Sequence, residues 1–462
     1  MSSRVDLLAD AAEVVRKAWS GFDQYRAGQP ALDTGLAELL ARGLPEEPTD
    51  ARQCLEDAAR ALDQSLAQPR PRFFAFIGSA GLEAGVVGDL LAATFDVNLA
   101  SWAGAATKLE AQTLRWLGEL VGYPTGGGAF TSGGTLSNVT ALAAAREAAL
   151  PGSRADGLTG VRAAVYCSAE AHHSVVRAAE MLGIGSRWVR SLPIDGERRL
   201  QSRAVADAIE ADVADGVVPV AVVATAGTTL TGAVDPIAEL GAVCARRNVW
   251  LHVDGAYGAP AAALPELAER FAGLAAADSL SIDAHKWLYV PKACGVVLAR
   301  RASDLLRVFG HEEAYFPHER DDLHSADHTL EYSRPLRALK LWLAFRVHGA
   351  DAFRAAIRRN LAHARLCREL VDEAPDLEAL PCRPQLTIVP FRHRPARVED
   401  LDRHNLAIVA ELQSHGDVWV SSAMIDGRAY VRPCFVNYRT SDDDVRALVT
   451  LVRRVGAELA SA

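Results

Sequence analysis

Lysine is scarce in this sequence. Of 49 basic residues only Lys17, Lys108, Lys286, Lys292 and Lys340 are lysine; the others are arginine. Arginine supplies charge, but it cannot supply an amine that loses its proton. Cysteine is sparse too, with seven residues scattered singly and no C-x-x-C pair. That excludes a zinc site or a disulfide framework and predicts a reducing, cytoplasmic setting. No apolar run reaches the roughly 18 residues of a membrane helix. The N-terminal "MSSRVDLLADAAEVVRKAW" is an amphipathic helix pattern with acids spread through it, so no signal peptide is expected. Internal repeats and low-complexity tracts are absent. Basic excess is missing as well: the net charge is −9, which argues against nucleic acid or an anionic membrane as partner.

What is present is an ordinary globular composition, 50% hydrophobic and 23% charged, over 462 residues. That length predicts a large domain with one or two smaller ones. Residues 1–66 read as an N-terminal helical segment broken at "LPEEPTD". "GYPTGGGAFTSGGTLSN" (122–138) reads as turns leading into a helix. A rhythm follows: strand-like "RAAVYCS", helix "SVVRAAEMLGI", strand "VPVAVVATAGTT", helix "PIAELGAVCARRN", strand "VWLHVDGAY", helix "LPELAERFAGL", then strands "DSLSIDA" and "CGVVLAR". Continuous apolar strands alternating with helices predict an α/β domain, 67–345, with a mostly parallel central sheet flanked by helices. "RPLRALKLWLAFRVHG" reads as a long helix leaving it. Residues 346–462 alternate helices with short strands and predict a small α+β C-terminal domain.

Four constellations carry chemistry. Lys286 ends the apolar segment "SLSIDAHKW"; an average lysine is a solvated charge, but a partly desolvated one becomes a nucleophile for carbonyls. Asp254 ends the strand "VWLHVD", either as a turn or cap aspartate or as a buried carboxylate that pairs with a cationic nitrogen. "TSGGTLSN" (131–138) sets Gly134 and Thr135 at the opening of a helix, a phosphate cradle or simply a cap. It matches neither a Walker sequence nor GxGxxG. His172-His173 precede another helix; no further ligands stand at a zinc spacing, and an imidazole stacking on a flat cofactor is the competing reading. An amine, a carboxylate, a phosphate cradle and a stacking ring together suit pyridoxal 5′-phosphate.

On these motifs the sequence resembles the fold-type I, pyridoxal phosphate-dependent group II amino-acid decarboxylases, which include aromatic L-amino acid decarboxylase. The similarity runs from "PRFFAF" at 71 to "NYRTSDDDV" at 437–445. The resemblance implies that Lys286 is the Schiff-base lysine of an Asn/Asp-x-His-Lys-Trp signature, with His285 and Asp283 its neighbours near the phosphate. Asp254 would keep the pyridine nitrogen protonated, Ala256 would lie under the ring, Thr229 of "TAGTTLTG" beside it, and His172 stacked on it. Gly134 and Thr135 would contact phosphate. Tyr315, 29 residues past the lysine in the loop 311–328, would return a proton to the α-carbon after CO₂ leaves, with His172 as candidate relay.

The sequence departs from the animal aromatic enzymes in several places. Asp283 replaces an asparagine, and an ionised aspartate cannot donate to a phosphate. His173 stands where serine is common. Phe76, Ile77, Gly78 and Ser79 match a Tyr-Phe-Pro-Thr stretch of the substrate region. Asn98 and Ala100 match bulkier apolar positions, and Ser333 matches a position held by Gly or Ser in plant members, where Ser accompanies phenolic substrates. The expected activity is α-decarboxylation of an aromatic amino acid (tyrosine, dopa or tryptophan). The alternatives are a decarboxylase of 2,4-diaminobutyrate or aspartate, an aldehyde synthase or lyase on the same scaffold, or a silent scaffold protein, against which the set Lys286, Asp254 and His172 argues. A homodimer is implied, since the helices of 1–66 look unable to bury their apolar faces alone. No metal is expected.

Overall fold

The computed structural model describes residues 4–26, 28, 30–66, 69–78, 80–100, 103–311 and 325–461. They form two compact units. One comprises 81–364 and 380–388; the other comprises the residues up to 80 with 365–379 and those from 389 onward.

The larger unit is built on seven strands: β1 (Gly127–Thr131), β2 (Ala163–Ser168), β3 (Val189–Leu192), β4 (Val218–Thr225), β5 (Trp250–Asp254), β6 (Ser279–Asp283) and β7 (Gly295–Ala299). Their order is β1-β7-β6-β5-β4-β2-β3. Strands β6 through β3 run parallel to their neighbours, while β7 is antiparallel to both β6 and β1. Every residue of β2, β5 and β6 is buried. A strand covered on both faces has no wet side on which to alternate polar residues, which is why β2 and the equally buried β7 read as apolar runs. The helix Gly134–Ala149 packs on β4, β5, β6 and β7, and its buried residues include Ala141, Ala143, Ala144 and Ala145, small side chains that allow close approach. The helix Ile237–Arg247 packs on β4 and β5 and stops at Asn248, whose φ of 53° turns the chain directly into β5. At Gly295, where β7 begins, a Cβ would lie 2.5 Å from Gly133 Cα. Only glycine lets this strand reach the loop before the Gly134 helix.

Three expectations are corrected. Within 122–138, Gly127–Thr131 is not turn but the edge strand β1, paired with β7 over five residues. Its two glycines hide the strand in the sequence because they lack the β-branched signal. The segment "LPELAERFAGL" is a run of 3₁₀ turns, Pro265–Phe271, rather than an α-helix; it starts at a proline and buries only Phe271. The long helix spans Ala338–Glu373 and is interrupted at Gly349, where φ is 72° and ψ 155°.

The smaller unit carries β8 (Leu377–Ala379), β9 (Phe391–His393), β10 (Ser421–Ile425) and β11 (Arg428–Arg432), antiparallel throughout in the order β10-β11-β9-β8. Asp426-Gly427 joins β10 to β11 with both residues at positive φ, 49° and 73°, the backbone that a two-residue hairpin demands. The helices Leu401–His415 and Asp442–Ser461 pack together and on this sheet. The first is capped by the Asp400 side chain, which accepts from the Arg403 amide.

Another of the scarce lysines is structural. Lys340 leaves 4% of its side chain exposed. Its ammonium pairs with Asp89 at 2.8 Å and donates to the carbonyls of Pro291, Lys292 and Ala293 at 3.3, 3.5 and 3.5 Å. These carbonyls belong to the loop between Lys286 and β7, so the lysine pins the chain just downstream of the site. Replacing Lys340 by Met strands all three carbonyls and is expected to cost about 2 kcal/mol. The check is a lower urea midpoint with unchanged far-UV circular dichroism.

Candidate active site

Parallel strands deliver their C-terminal ends to one place. Thr225 and Asp254 end β4 and β5 in register, Asp254 stands opposite Ser281 of β6, and Asp283 ends β6. A four-residue helix, Ala284–Trp287, then turns Lys286 back over these ends. On the other side β1 runs through Ser132-Gly133 into the Gly134 helix. Together these elements line a cavity of about 320 Å³.

Asp254 is 5% exposed, yet its carboxylate receives three hydrogen bonds. Oδ2 accepts from Asn138 Nδ2 at 2.8 Å; Oδ1 accepts from the Ala256 amide at 3.1 Å and from Ser281 Oγ at 3.2 Å. Asn138 also donates to Ser174 Oγ at 2.9 Å, and Ser174 Oγ lies 2.8 Å from His172 Nδ1. The Ser174 amide donates to the same ring nitrogen at 3.2 Å. Burial lowers the pKa of His172 against the opposing pull of Asp254, so the ring is held neutral. With Nδ1 accepting, its proton sits on Nε2. Behind Asn138, His252 Nε2 lies 3.1 Å from Asn138 Oδ1, and its Nδ1 lies 2.8 Å from Ser279 Oγ. Burial pushes His252 down to about 4.

Lys286 Nζ stands 3.0 Å from Asp283 Oδ2, with 24% of the lysine side chain exposed and 3% of the aspartate's. The other carboxylate oxygen, Asp283 Oδ1, is buried without a hydrogen-bond partner, as is Thr225 Oγ1. The Thr225 amide donates to buried Asp235 at 2.7 Å, as does the Leu200 amide at 2.7 Å; burial raises this acid to about 7. His285 accepts from the Cys294 amide on Nδ1 at 3.1 Å, and burial lowers its pKa, leaving the proton on Nε2. A Cβ built on Gly133 would come 3.5 Å from the Cε1 of this ring, and one on Gly134 would meet Ala256 Cβ at 3.0 Å and Asp283 Oδ2 at 3.1 Å. The first backbone bond of the Gly134 helix runs from the Ser137 amide to the Gly133 carbonyl at 3.1 Å. The amides of Gly134, Thr135 and Leu136 precede it, and none has an acceptor among the described residues.

All nine residues expected around a cofactor line this one cavity: Gly134, Thr135, His172, Thr229, Asp254, Ala256, Asp283, His285 and Lys286. The substrate positions behave differently. Asn98 Nδ2 donates to Ser333 Oγ at 3.2 Å, and Asn98 Oδ1 accepts from the amides of Ala100 and Arg334 at 3.0 and 3.3 Å. These three form a group of their own and are not among the residues lining the cavity. Phe76 belongs to the smaller unit, exposed and with φ 57°. Ser79 and Tyr315 lie outside the described residues. Asn138, Ser174, Thr225 and His252 were not singled out from the sequence. Asn138 sits one helical turn past Gly134, and His252 sits two residues before Asp254; these spacings are the available signals.

The open amides at a helix N-terminus suit a phosphate, and the glycine cradle leaves room for one. The Asp254 carboxylate, with acceptor capacity left on Oδ2, suits a cationic ring nitrogen, and the Lys286 amine an aldehyde. Buried atoms with unused hydrogen-bonding capacity, Thr225 Oγ1 and Asp283 Oδ1, mark a cavity built for a polar occupant. The fold and this cavity are those of a pyridoxal phosphate enzyme. A family model for the pyridoxal-dependent decarboxylase conserved domain matches residues 34–394. An aromatic-L-amino-acid decarboxylase of Bacillus atrophaeus is 33% identical over 92% of this chain and 89% of its own. An L-2,4-diaminobutyrate decarboxylase of Rhizobium meliloti is 30% identical over 99% and 91%. The crystal structure of Oryza sativa TDC with PLP and tryptamine superposes with a TM-score of 0.91, at 26% identity, covering 99% of each chain. The chain belongs to the pyridoxal-dependent decarboxylase family and is a pyridoxal phosphate-dependent amino-acid decarboxylase, a carboxy-lyase.

The His252 imidazole predicts an acid limit to stability. Below its ordinary value of 6.5 the unfolded chain takes up a proton that the folded protein refuses until about pH 4. Stability from this group is therefore complete above 6.5 and is lost as pH falls toward 4, by about 3 kcal/mol at the limit. His252→Gln removes the titration and is expected to flatten this part of the pH dependence, as read by urea unfolding between pH 4 and 6.5.

Proposed function

We propose that the substrate is an aromatic L-amino acid (tyrosine, dopa or tryptophan), which leaves as its amine and CO₂. The observation that carries the chemistry is the convergence of the Lys286 amine, the buried Asp254 carboxylate and the open helix N-terminus on one cavity. Similarity to the Bacillus aromatic-L-amino-acid decarboxylase supports the aromatic class. A second reading, 2,4-diaminobutyrate, is supported by the Rhizobium relative and by the polar Asn98 at a position expected to be apolar.

Bound pyridoxal phosphate supplies a cationic ring that takes up the electron pair released with CO₂. The chain's own residues do the rest. Asp254, oriented by three donors, is the residue that would pair with the protonated ring nitrogen. The amides of Gly134, Thr135 and Leu136 hold the phosphate, with the Nε2–H of His285 as a further donor. Thr229, Ala256 and His172, which line the same cavity, are the residues that would hold the ring. Lys286 would hold the cofactor's aldehyde, and its amine is available for this only when the ion pair with Asp283 opens. Tyr315, outside the described residues, would return a proton to the α-carbon, with His172 as its relay.

The test is a panel of tyrosine, dopa, tryptophan, 2,4-diaminobutyrate and aspartate, scoring CO₂, amine and hydrogen peroxide. Aromatic amines formed without peroxide are expected. Faster turnover of diaminobutyrate or aspartate, or peroxide formed with each CO₂, overturns the assignment. Lys286→Arg is expected to abolish the cofactor's visible absorbance and to cut turnover by about a thousandfold or more, because arginine cannot offer a free amine.

The working unit on this reading is a homodimer in a reducing, cytoplasmic setting. Leu8, Leu40, Leu44 and Leu62 of the N-terminal segment are 57%, 63%, 86% and 74% exposed, and Phe95 is 75% exposed. Exposed apolar side chains in such number support a covering partner, and a second copy is the occupant expected for this family. None of the seven cysteines is joined in a disulfide. Light scattering is expected to give twice the chain mass; the monomer mass overturns the dimer.

A further inference from the structure

Trp250, Ser279 and His252 are buried beneath the cavity and reach it only through Asn138. Trp250 Nε1 donates to Ser279 Oγ at 2.9 Å, and Ser279 Oγ lies 2.8 Å from His252 Nδ1. His252 Nε2 lies 3.1 Å from Asn138 Oδ1, and Asn138 Nδ2 lies 2.8 Å from Asp254 Oδ2. His252 and Ser279 are 0% exposed and Asn138 1%, so none of them has water as an alternative partner.

The two ends of this chain fix its direction. An indole N–H only donates, and an ionised carboxylate only accepts. Ser279, receiving from Trp250, gives its own proton to His252 Nδ1. His252 then carries its proton on Nε2 and gives it to Asn138 Oδ1. That contact fixes the amide, so that the Asn138 NH₂, not its oxygen, faces Asp254. Running the chain backwards would require a protonated Asp254 and would free the Ser279 hydroxyl proton from its acceptor. We propose that His252, with Ser279 and Trp250 behind it, is a positioning residue that locks the Asn138 amide and thereby keeps Asp254 ionised toward the ring nitrogen of pyridoxal phosphate. The same lock fixes the second Asn138 proton on Ser174 and hence the Nε2–H form of His172. Without His252, Asn138 is free to turn over and put its oxygen against the carboxylate, an arrangement that favours the protonated acid.

This inference rests on the cofactor reading above. The test compares the apoenzymes of wild type, His252→Leu, His252→Gln and Ser279→Ala by fluorescence titration with two probes. One probe is pyridoxal phosphate; the other is its 1-deaza analogue, in which C–H replaces the ring nitrogen. His252→Leu is expected to weaken pyridoxal phosphate by about tenfold and the deaza analogue by less than about threefold. His252→Gln, which restores an N–H near Asn138, is expected to recover most of the loss. Ser279→Ala removes one hydroxyl, folds more readily, and is expected to show the same probe selectivity at a smaller size. Equal weakening of both probes, or a Gln variant as impaired as Leu, reduces His252 to packing and overturns the proposal. Wild-type protein that binds neither probe overturns the cofactor reading itself, a separate outcome.

Discussion

Asp254 places a negative charge where water does not reach. Taking a carboxylate out of solvent costs several kcal/mol unless the protein replaces the lost hydrogen bonds. Here the replacement comes from three separate elements: the side chain of Asn138 on the Gly134 helix, the amide of Ala256 after β5, and the hydroxyl of Ser281 on β6. Each donor is set by sheet register or by the seat of that helix on the sheet. The close approach at Gly295, which brings β7 against the loop before the helix, serves the same end, since a shift of the helix would move Asn138 away from the charge. Sheet, helix and loop are therefore tied to one carboxylate.

A second buried acid stands nearby with the opposite solution. Asp283 meets the Lys286 ammonium on one oxygen and has no partner for the other. Neutral donors on Asp254 leave its charge undiminished and facing the cavity. An ion pair on Asp283 holds the amine in place only while the amine remains charged. The first carboxylate is fixed and the second is conditional, so the pair divides into a permanent counter-charge and a partner that Lys286 must leave to react. An asparagine at 283 would have offered an amide donor in place of this ionic partner, which gives the departure noted in the sequence a physical content of its own.

Much of this was legible in the sequence, for a definite reason. Lys286, Asp254, His172 and Gly134 each stand at the end of a strand or the opening of a helix, where a local motif marks them, and the parallel topology that brings such ends together was readable from the unbroken apolar runs. The supports were not legible. Asn138, His252 and Ser279 are interior polar residues joined to partners 27 to 116 positions away, and Ser174 meets Asn138 across 36, so no local pattern announces these links. Edge strand β1 stayed hidden behind its glycines, and the 3₁₀ run at 265–271 behind a helical hydrophobic spacing. Asn98, Ala100 and Ser333 do form one group, yet Asn98 spends its oxygen on two backbone amides, a loop-holding task that alignment to a family pattern does not show.

The shortage of lysine acquires a rationale at two positions. Surface and half-buried acids are met by arginine, as where Arg190 grips Asp212 at 2.6 Å and Arg334 grips buried Glu110, because a planar fork matches a carboxylate. Lys340 faces a different target, three carbonyls converging with one carboxylate, which a compact ammonium satisfies and a planar fork does not. Lys286 needs a nitrogen able to exchange its proton for a covalent bond. Lys292, whose pKa is lowered by burial and then by the charge of Lys286, lies close enough to the site to feel it. At Lys286 and Lys340, shape or chemistry forbids arginine, and both side chains act on the segment between β6 and β7.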